Sequence, residues 1–285
     1  MSADANDPGS LAILERRISA LADSTQQPAG RLRVTIAQVV IAQLLPGALV
    51  KGGSGMKIRL GLGFSRDSKD LDVAWRSAQE DFAGVLRTSL TSGWGPFSGR
   101  LLAKSQRPQG ETPTKYVMQP YAVKLDAYGR PFATVVLEVG YDELGALEDG
   151  TSELMLPNEI SGLFTSLGLP APEPVHVLAA HHQIAQKIHA CTEPGSERAH
   201  DLVDLQLLWP KDEPGLNLVA LTTQRLFAFR KGHPFPADCI VGSDWPIAYV
   251  EAAAGLDVLP TVDAAATWLN IQLSTFVDRT SQTSD

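Results

Sequence analysis

The residues best suited to chemistry stand close together in KGGSGMKIRLGLGFSRDSKDLDV, which runs from Lys51 to Val73. Gly52 and Gly53, at the end of an apolar run, let the backbone approach a ligand closely, and Ser54 adds a hydroxyl where a helix begins. Backbone N–H groups and the positive end of such a helix suit a triphosphate. Asp70 and Asp72 follow at i and i+2, which in a strand places both on one face about 6.6 Å apart along the chain. Carboxylates so placed can hold one or two Mg2+ or Mn2+ ions, which in turn bind triphosphate oxygens. The same letters also describe an ordinary turn followed by solvated acids.

Further along, Glu138 interrupts Thr134 to Val139, the most apolar strand in the sequence. A lone acid there either faces water or meets a cation, which makes it the candidate third metal ligand. Lys187 is the one lysine or arginine in the helical run Ile184 to Ala190. Arg198, Asp201 and Asp204 step by three residues, so neighbours in the series lie together at a helix start. A lysine can neutralise phosphate oxygens as a point charge. Asp201 could orient it or act as a base toward an attacking hydroxyl. An i,i+3 Arg–Asp pair is also the common pattern of a surface salt bridge.

Elements must bring these residues into position. Leu11, Leu14, Ile18 and Leu21 recur at helical spacing behind a Ser10 cap. A second helix covers Leu32 to Leu45, and Pro46-Gly47 stop it. Strands are expected at Ala48 to Val50 and Asp70 to Ala74, with a helix from about Gly55 to Gly61 between them. Another helix should span Arg76 to Leu90, and Gly93 to Gly99 reads as a turn-rich break. Lys115 to Leu125 and Pro131 to Val139 pair through an Asp126-Ala127-Tyr128-Gly129 turn. Helices follow at about 158–167, 178–191, 199–209, 215–230, 243–254 and 262–277. Strands before residue 140 and helices after it predict an α/β (α+β) fold with two lobes. Residues 1–150 form a mixed-sheet lobe with N-terminal helices, and residues 151–285 form a helical lobe closing over the active site.

Composition narrows the classes. Of 285 residues, 44% are hydrophobic and 20% charged, which fits a globular chain and excludes wholesale disorder. Cys191 and Cys239 lie in no metal-ligand pattern and read as packing residues of a protein in a reducing cytoplasm. His181, His182, His200 and His233 have no metal-ligand spacing either. The apolar stretch Val34 to Val50 is broken by Gln38, Gln43 and Pro46 and falls short of the about 20 residues a membrane span needs. No signal peptide is visible, so a cytoplasmic protein is expected. Net charge is −8, but residues 51–130 carry 13 basic and 7 acidic residues, while 131–285 carry 7 and 21. A basic face could meet nucleic-acid phosphates, and an acidic lobe could meet a basic partner.

Taken in order, Gly-Gly-Ser, Ser-x-Asp-x-Asp, a later strand acid, a helical lysine and R-x-x-D-L-x-D-L resemble the AbiEii/MenT family. These are nucleotidyltransferase toxins of bacterial toxin–antitoxin systems, and the resemblance covers roughly Val50 to Trp209. It implies a nucleotidyltransferase fold and transfer of a nucleoside monophosphate from a triphosphate to an acceptor hydroxyl, with release of pyrophosphate. Gly52, Gly53, Ser54 and Lys187 would bind the nucleotide, and Asp70, Asp72 and Glu138 the metal. Asp70, Asp72, Lys187 and Asp201 would be catalytic, with Arg198 and Asp204 in support. Ser68 matches the serine that kinase-type antitoxins phosphorylate in part of the family. The implied partners are a cognate antitoxin and RNA, above all the 3′ end of tRNA. The RNA would lie along Lys57, Arg59, Arg66, Lys69 and Arg76, then Arg100, Lys104, Arg107, Lys115 and Lys124. Two rivals remain open: a metal-dependent glycosyltransferase that uses the DxD pair, and a catalytically silent nucleotide-binding module.

Overall fold

A computed structural model describes residues 6–45, 47–66, 68–75, 79–105, 119–141, 143–144 and 152–282. The chain forms two units. The first comprises 1–62, 67–142 and 147–177, and the second 63–66, 143–146 and 178–285.

The first unit is built on a seven-stranded mixed sheet. Its strands are β1 (Leu49–Lys51), β2 (Leu71–Trp75), β3 (Phe97–Ala103), β4 (Gln119–Ala127), β5 (Arg130–Tyr141), β6 (Ser152–Met155) and β7 (Val175–Leu178). Across the sheet the order is β3-β4-β5-β2-β1-β7-β6. β2 runs parallel to β5 and antiparallel to β1, while β3, β4 and β5 form an antiparallel meander. The β4–β5 turn is Tyr128-Gly129, with φ of 51° and 72°. Positive φ at both positions matches the twist of the strands, as two-residue hairpins require.

Leu71, Val73, Val123, Val135, Leu137 and Val139 alternate along their strands and point into the core. Helix α2 (Ala29–Gln43) lies on β5, and α4 (Gln79–Ser92) on β3. Helix α1 (Leu11–Thr25) packs on α2 through Leu14, Ile18 and Ala22. Its start is capped by the Ser10 hydroxyl, which accepts from the Ile13 N–H at 3.4 Å. Of the apolar run from Val34 to Val50, residues 34–43 lie in the core helix α2 and Leu49 and Val50 in β1. No helix among the described residues is long and apolar enough to cross a membrane.

The second unit packs α6 (Ala180–Thr192) against α7 (Ala199–Leu208) and α8 (Glu213–Arg230), and α9 (Trp245–Ala253) against α7. Helix α10 (Val262–Gln282) closes on α7, α8 and α9. Ile184, Ile188 and Cys191 make the inward stripe of α6. The asparagine of α10 fixes a loop: Asn270 accepts from the Cys239 N–H at 2.8 Å and donates to the Cys239 carbonyl at 3.2 Å.

Three strands escape the sequence pattern. β3 occupies part of the stretch read as a turn-rich break, because Gly99 is an in-strand glycine. A Cβ there would lie 2.7 Å from the Lys124 carbonyl oxygen and 3.1 Å from Leu90. β6 and β7 have four residues each, too short to show a period. They correct the expectation that strands end before residue 140. The boundary expected at residue 150 lies outside the described residues. Beyond it, β6, α5 (Asn158–Leu167) and most of β7 belong with the sheet rather than with the helices. The starts of the strand expected from Lys115 and the helix expected from Arg76 also lie outside the described residues.

Candidate active site

In the first unit the site grows from the register of three strands. Lys51 on β1 stands opposite Asp72 on β2, and Asp72 stands opposite Glu138 on β5. Neighbouring strands are about 4.8 Å apart, so the two acids are adjacent on one sheet face. Both are half-buried, while Leu71, Val73, Leu137 and Val139 between them point into the core. Alternation alone aims these carboxylates outward.

Helix α3 (Gly52–Leu60) begins immediately after β1, three residues earlier than the spacing predicts. Gly52 is the reason. It has φ of +59°, and a Cβ on it would fall inside the Asp72 carboxylate. Only glycine lets the helix start this close to the acid. Gly53 and Ser54 therefore occupy the first turn of α3, where unpaired N–H groups suit an anion. The Ser54 side chain does something else. It is 1% exposed, and its hydroxyl donates to the Asp70 carbonyl at 2.6 Å. The expected phosphate contact of this hydroxyl is thus replaced by a hold on the loop that carries Asp70.

Asp70 sits on an exposed bend one residue before β2, not within the strand. Its carbonyl also accepts from Gln38 Nε2 at 3.1 Å. The Ser68 carbonyl accepts from Gln38 Nε2 and from Lys57 Nζ, each at 3.2 Å. Lys57 in turn donates to Gln38 Oε1 at 3.0 Å. Gln38 and Lys57 are both 2% exposed. Sequence reasoning missed Gln38 as a site residue, although its signal was visible as an amide inside an apolar helix. The Ser68 hydroxyl donates to the Asp70 carbonyl at 3.2 Å.

Among the described residues no three His, Cys, Asp or Glu side chains converge as ligands of one ion. The three-ligand cluster expected from Asp70, Asp72 and Glu138 is therefore not preformed, because Asp70 lies outside the strand that aligns the other two. The Asp72–Glu138 pair still fits a hard divalent cation. Mg2+ is commonly held by one or two carboxylates together with substrate phosphates.

The second unit holds a different constellation. Lys187 Nζ donates to Asp201 Oδ1 at 2.8 Å and to Asp204 Oδ2 at 2.6 Å. Arg198 Nε donates to Asp201 Oδ2 at 2.9 Å, and Arg66 Nε to Asp204 Oδ1 and Oδ2 at 3.1 and 3.0 Å. Both aspartates are fully buried. The Arg198–Asp201 step thus joins a fully buried carboxylate to a guanidinium that remains 54% exposed, so only its acidic half departs from the surface salt bridge its spacing suggests. Burial opposes the Lys187 charge, but Asp201 and Asp204 outweigh it, and the ammonium is held above the ordinary lysine value. Burial would raise the Asp201 carboxyl, yet Lys187 and Arg198 hold it well below its usual range. Both oxygens of Asp201 are bonded, Oδ1 to Lys187 and Oδ2 to Arg198, a geometry that suits orienting the lysine, the first of the two roles its sequence position allows. His200, pushed down to about 4 by burial, is neutral beside it near pH 7.

Comparison with known proteins decides the family. Residues 36–267 match the family model of the nucleotidyl transferase AbiEii toxin of type IV toxin–antitoxin systems. The chain belongs to the AbiEii family. It is therefore a member of a family of nucleotide-transferring enzymes, for which a nucleoside triphosphate substrate and a cognate antitoxin are implied. The fold is similar to that of MenT4, a nucleotidyltransferase toxin from Mycobacterium tuberculosis. That match has a TM-score of 0.56 and 18% identity, covering 94% of this chain and 90% of that one. JHP933 from Helicobacter pylori is also similar, with a TM-score of 0.43 and 18% identity over 88% and 92% of the two chains. No curated protein matches the sequence.

Within this AbiEii chain the expected basic face is smaller than the sequence implies. Lys57 is buried, Arg59 pairs with Glu153 at 2.6 Å, and Arg66 is bound to Asp204. Lys69, Arg100, Lys104 and Lys124 are exposed. Arg76, Arg107 and Lys115 lie outside the described residues. Cys191 and Cys239 are both buried, and burial together with the neighbouring Cys239 pushes the Cys191 thiol up, as suits packing residues.

Proposed function

We propose that this AbiEii-family chain transfers a nucleoside monophosphate from a triphosphate to a hydroxyl of RNA, with a tRNA 3′ end as the leading acceptor. The acceptor oxygen bonds to the α-phosphorus and gives up its proton to water, the bond from the α-phosphorus to the bridging β-phosphate oxygen breaks, and pyrophosphate leaves. The observation that carries this reading is the register-paired Asp72 and Glu138 beside the Gly52-Gly53 helix start. A divalent ion held by this pair, with Asp70 joining when substrate arrives, would neutralise charge on the phosphates. The N–H groups of Gly53 and Ser54 would receive phosphate oxygens. Lys187, kept charged by Asp201 and Asp204, would serve the same reaction as a phosphate-binding cation, with Arg198 in support. Catalysis of this kind is mostly positioning and charge neutralisation.

We read Ser68 as a regulatory position. A phosphate there adds about −1.5 to −2 charges two residues before Asp70 and would compete for the cations that triphosphate needs. Ser68→Asp and Ser68→Glu should both slow turnover, and wild-type rates in both would remove the switch.

The direct test is incubation with each α-labelled triphosphate and total RNA, with and without Mg2+. Metal-dependent label on RNA with release of pyrophosphate is the expected result. Label on protein alone, or turnover of a nucleotide sugar, overturns it.

A further inference from the structure

The open face of the sheet is organised in rows across three strands. Residues directly paired between strands share a face, and alternate residues along a strand return to it. The outermost of the three rows is Arg100, Lys124 and Thr134, all exposed. The next is Leu102, Ala122 and Val136, with Leu102 43% exposed. The third is Pro120 and Glu138, continuing to Asp72 on β2. The side chains between these rows, among them Leu101, Val123 and Val135, are buried on the opposite face.

Two features of this grid ask for a ligand. Arg100 and Lys124 are like charges in direct cross-strand register, an arrangement that destabilises a sheet when nothing lies between them. Among the described residues neither makes an ion pair, and Asp126, one row further out, makes none with them. Beside the cations lies an apolar row left open to solvent, and beyond it the acids of the candidate site. A cation row alternating with an apolar row matches a chain that alternates phosphates with flat bases and sugars. An acidic protein segment would satisfy the cations and leave the apolar row unused.

We propose that this face binds the single-stranded end of a polynucleotide. Arg100 and Lys124 clamp a backbone phosphate, and Leu102, Ala122 and Val136 receive a base or ribose. This rests on the RNA-acceptor reading and adds a direction to it. Thr134 lies four residues from Glu138, about 13 Å along the strand, roughly two to three extended nucleotides from the acids. The terminal hydroxyl would then lie toward Asp72 and Glu138, with the preceding phosphate held at the meander edge.

Fluorescently labelled octauridylate and diuridylate, titrated over a range of salt concentrations, test the proposal. The octamer should bind more tightly than the dimer. In Arg100→Ala/Lys124→Ala its dissociation constant should rise about tenfold and the salt slope should shrink by about 0.7, the share of one neutralised phosphate on a single strand. Leu102→Asp should weaken the octamer through the apolar row as well. Arg100→Glu should weaken RNA binding while raising the melting temperature, because it replaces a repulsive cross-strand pair with an attractive one. A merely structural pair would not separate those two readouts. Unchanged octamer affinity and salt slope in the double variant overturn the proposal, as does equal binding of polyglutamate. If RNA is labelled by the enzyme but its KM ignores these variants, this surface fails and the transfer reading stands. If no RNA is ever labelled while octamer binding still depends on the pair, the reverse holds.

Discussion

Asp70, Asp72 and Glu138 in the first unit are at least partly open to solvent, whereas Asp201 and Asp204 in the second are fully buried and bonded to cations. The first group gains its geometry from β2–β5 register and from the absence of a Cβ at Gly52. The second gains it from ion pairs that cross three stretches of chain. An acid that must accept a transient cation stays within reach of solvent. A cation that must stay charged inside a protein is built with its counter-ions already in place. The two clusters should therefore fail in different ways: removing the open acids costs activity, and removing the buried ones costs the fold.

The largest effect expected is on turnover. Asp72→Asn should lower nucleotide transfer by about two to three orders of magnitude, the loss typical of a charge-stabilising group. Its melting temperature should stay near that of the unaltered protein. Asp70→Ala should behave alike, and full activity in either variant would break the comparison at its first term.

Lys187→Met should do the opposite to stability. It leaves two buried carboxylates short of their shared cation, a change that costs about 3–5 kcal/mol. Urea unfolding measures this, and a loss near zero would mean that the cluster is hydrated. Gly52→Ala tests the first unit by geometry rather than charge. The φ of +59° and the collision with Asp72 should cost about 1–3 kcal/mol and most of the activity. Normal activity in this variant would show that Asp72 can move away from its position opposite Lys51 and Glu138 without consequence.

Acid should weaken the second unit first. His182, His189 and His200 are each pushed down to about 4, chiefly by burial. Their folded values lie below the unfolded value of about 6.5. The stability they contribute is complete above that pH and is lost as pH falls toward 4. Asp201, also held low in the fold, adds loss only below about pH 3.9, and Lys187, held high, only above about pH 10.4. Melting temperature followed from pH 7 to pH 4 should fall throughout, and a flat profile would contradict the burial of these rings.

The smallest effect belongs to Gln38→Leu. It removes the amide that holds the Ser68 and Asp70 carbonyls, at a cost of about 1–3 kcal/mol for the groups left unpaired. Turnover should fall severalfold and the Mg2+ needed for half-maximal rate should rise. A stability loss with an unchanged Mg2+ requirement would make Gln38 a core residue only.

Local letters determined a good deal of this protein. Helical periodicity in Leu11, Leu14, Ile18 and Leu21 and the Tyr128-Gly129 hairpin depend on neighbours a few residues away, so the sequence carries them. The family resemblance rests likewise on short motifs in a fixed order. Tertiary structure decided what depends on partners far along the chain. Gln38 meets the Asp70 carbonyl across 32 positions and Arg66 meets Asp204 across 138, and no period or spacing encodes such pairs. It turned Ser54 inward and placed Asp70 before the strand. It also withdrew Lys57, Arg59 and Arg66 from the basic face, because a cation's availability depends on the acids and carbonyls that folding brings to it. The Arg100–Lys124 row arose in the same way, from a strand that the glycines around it had concealed.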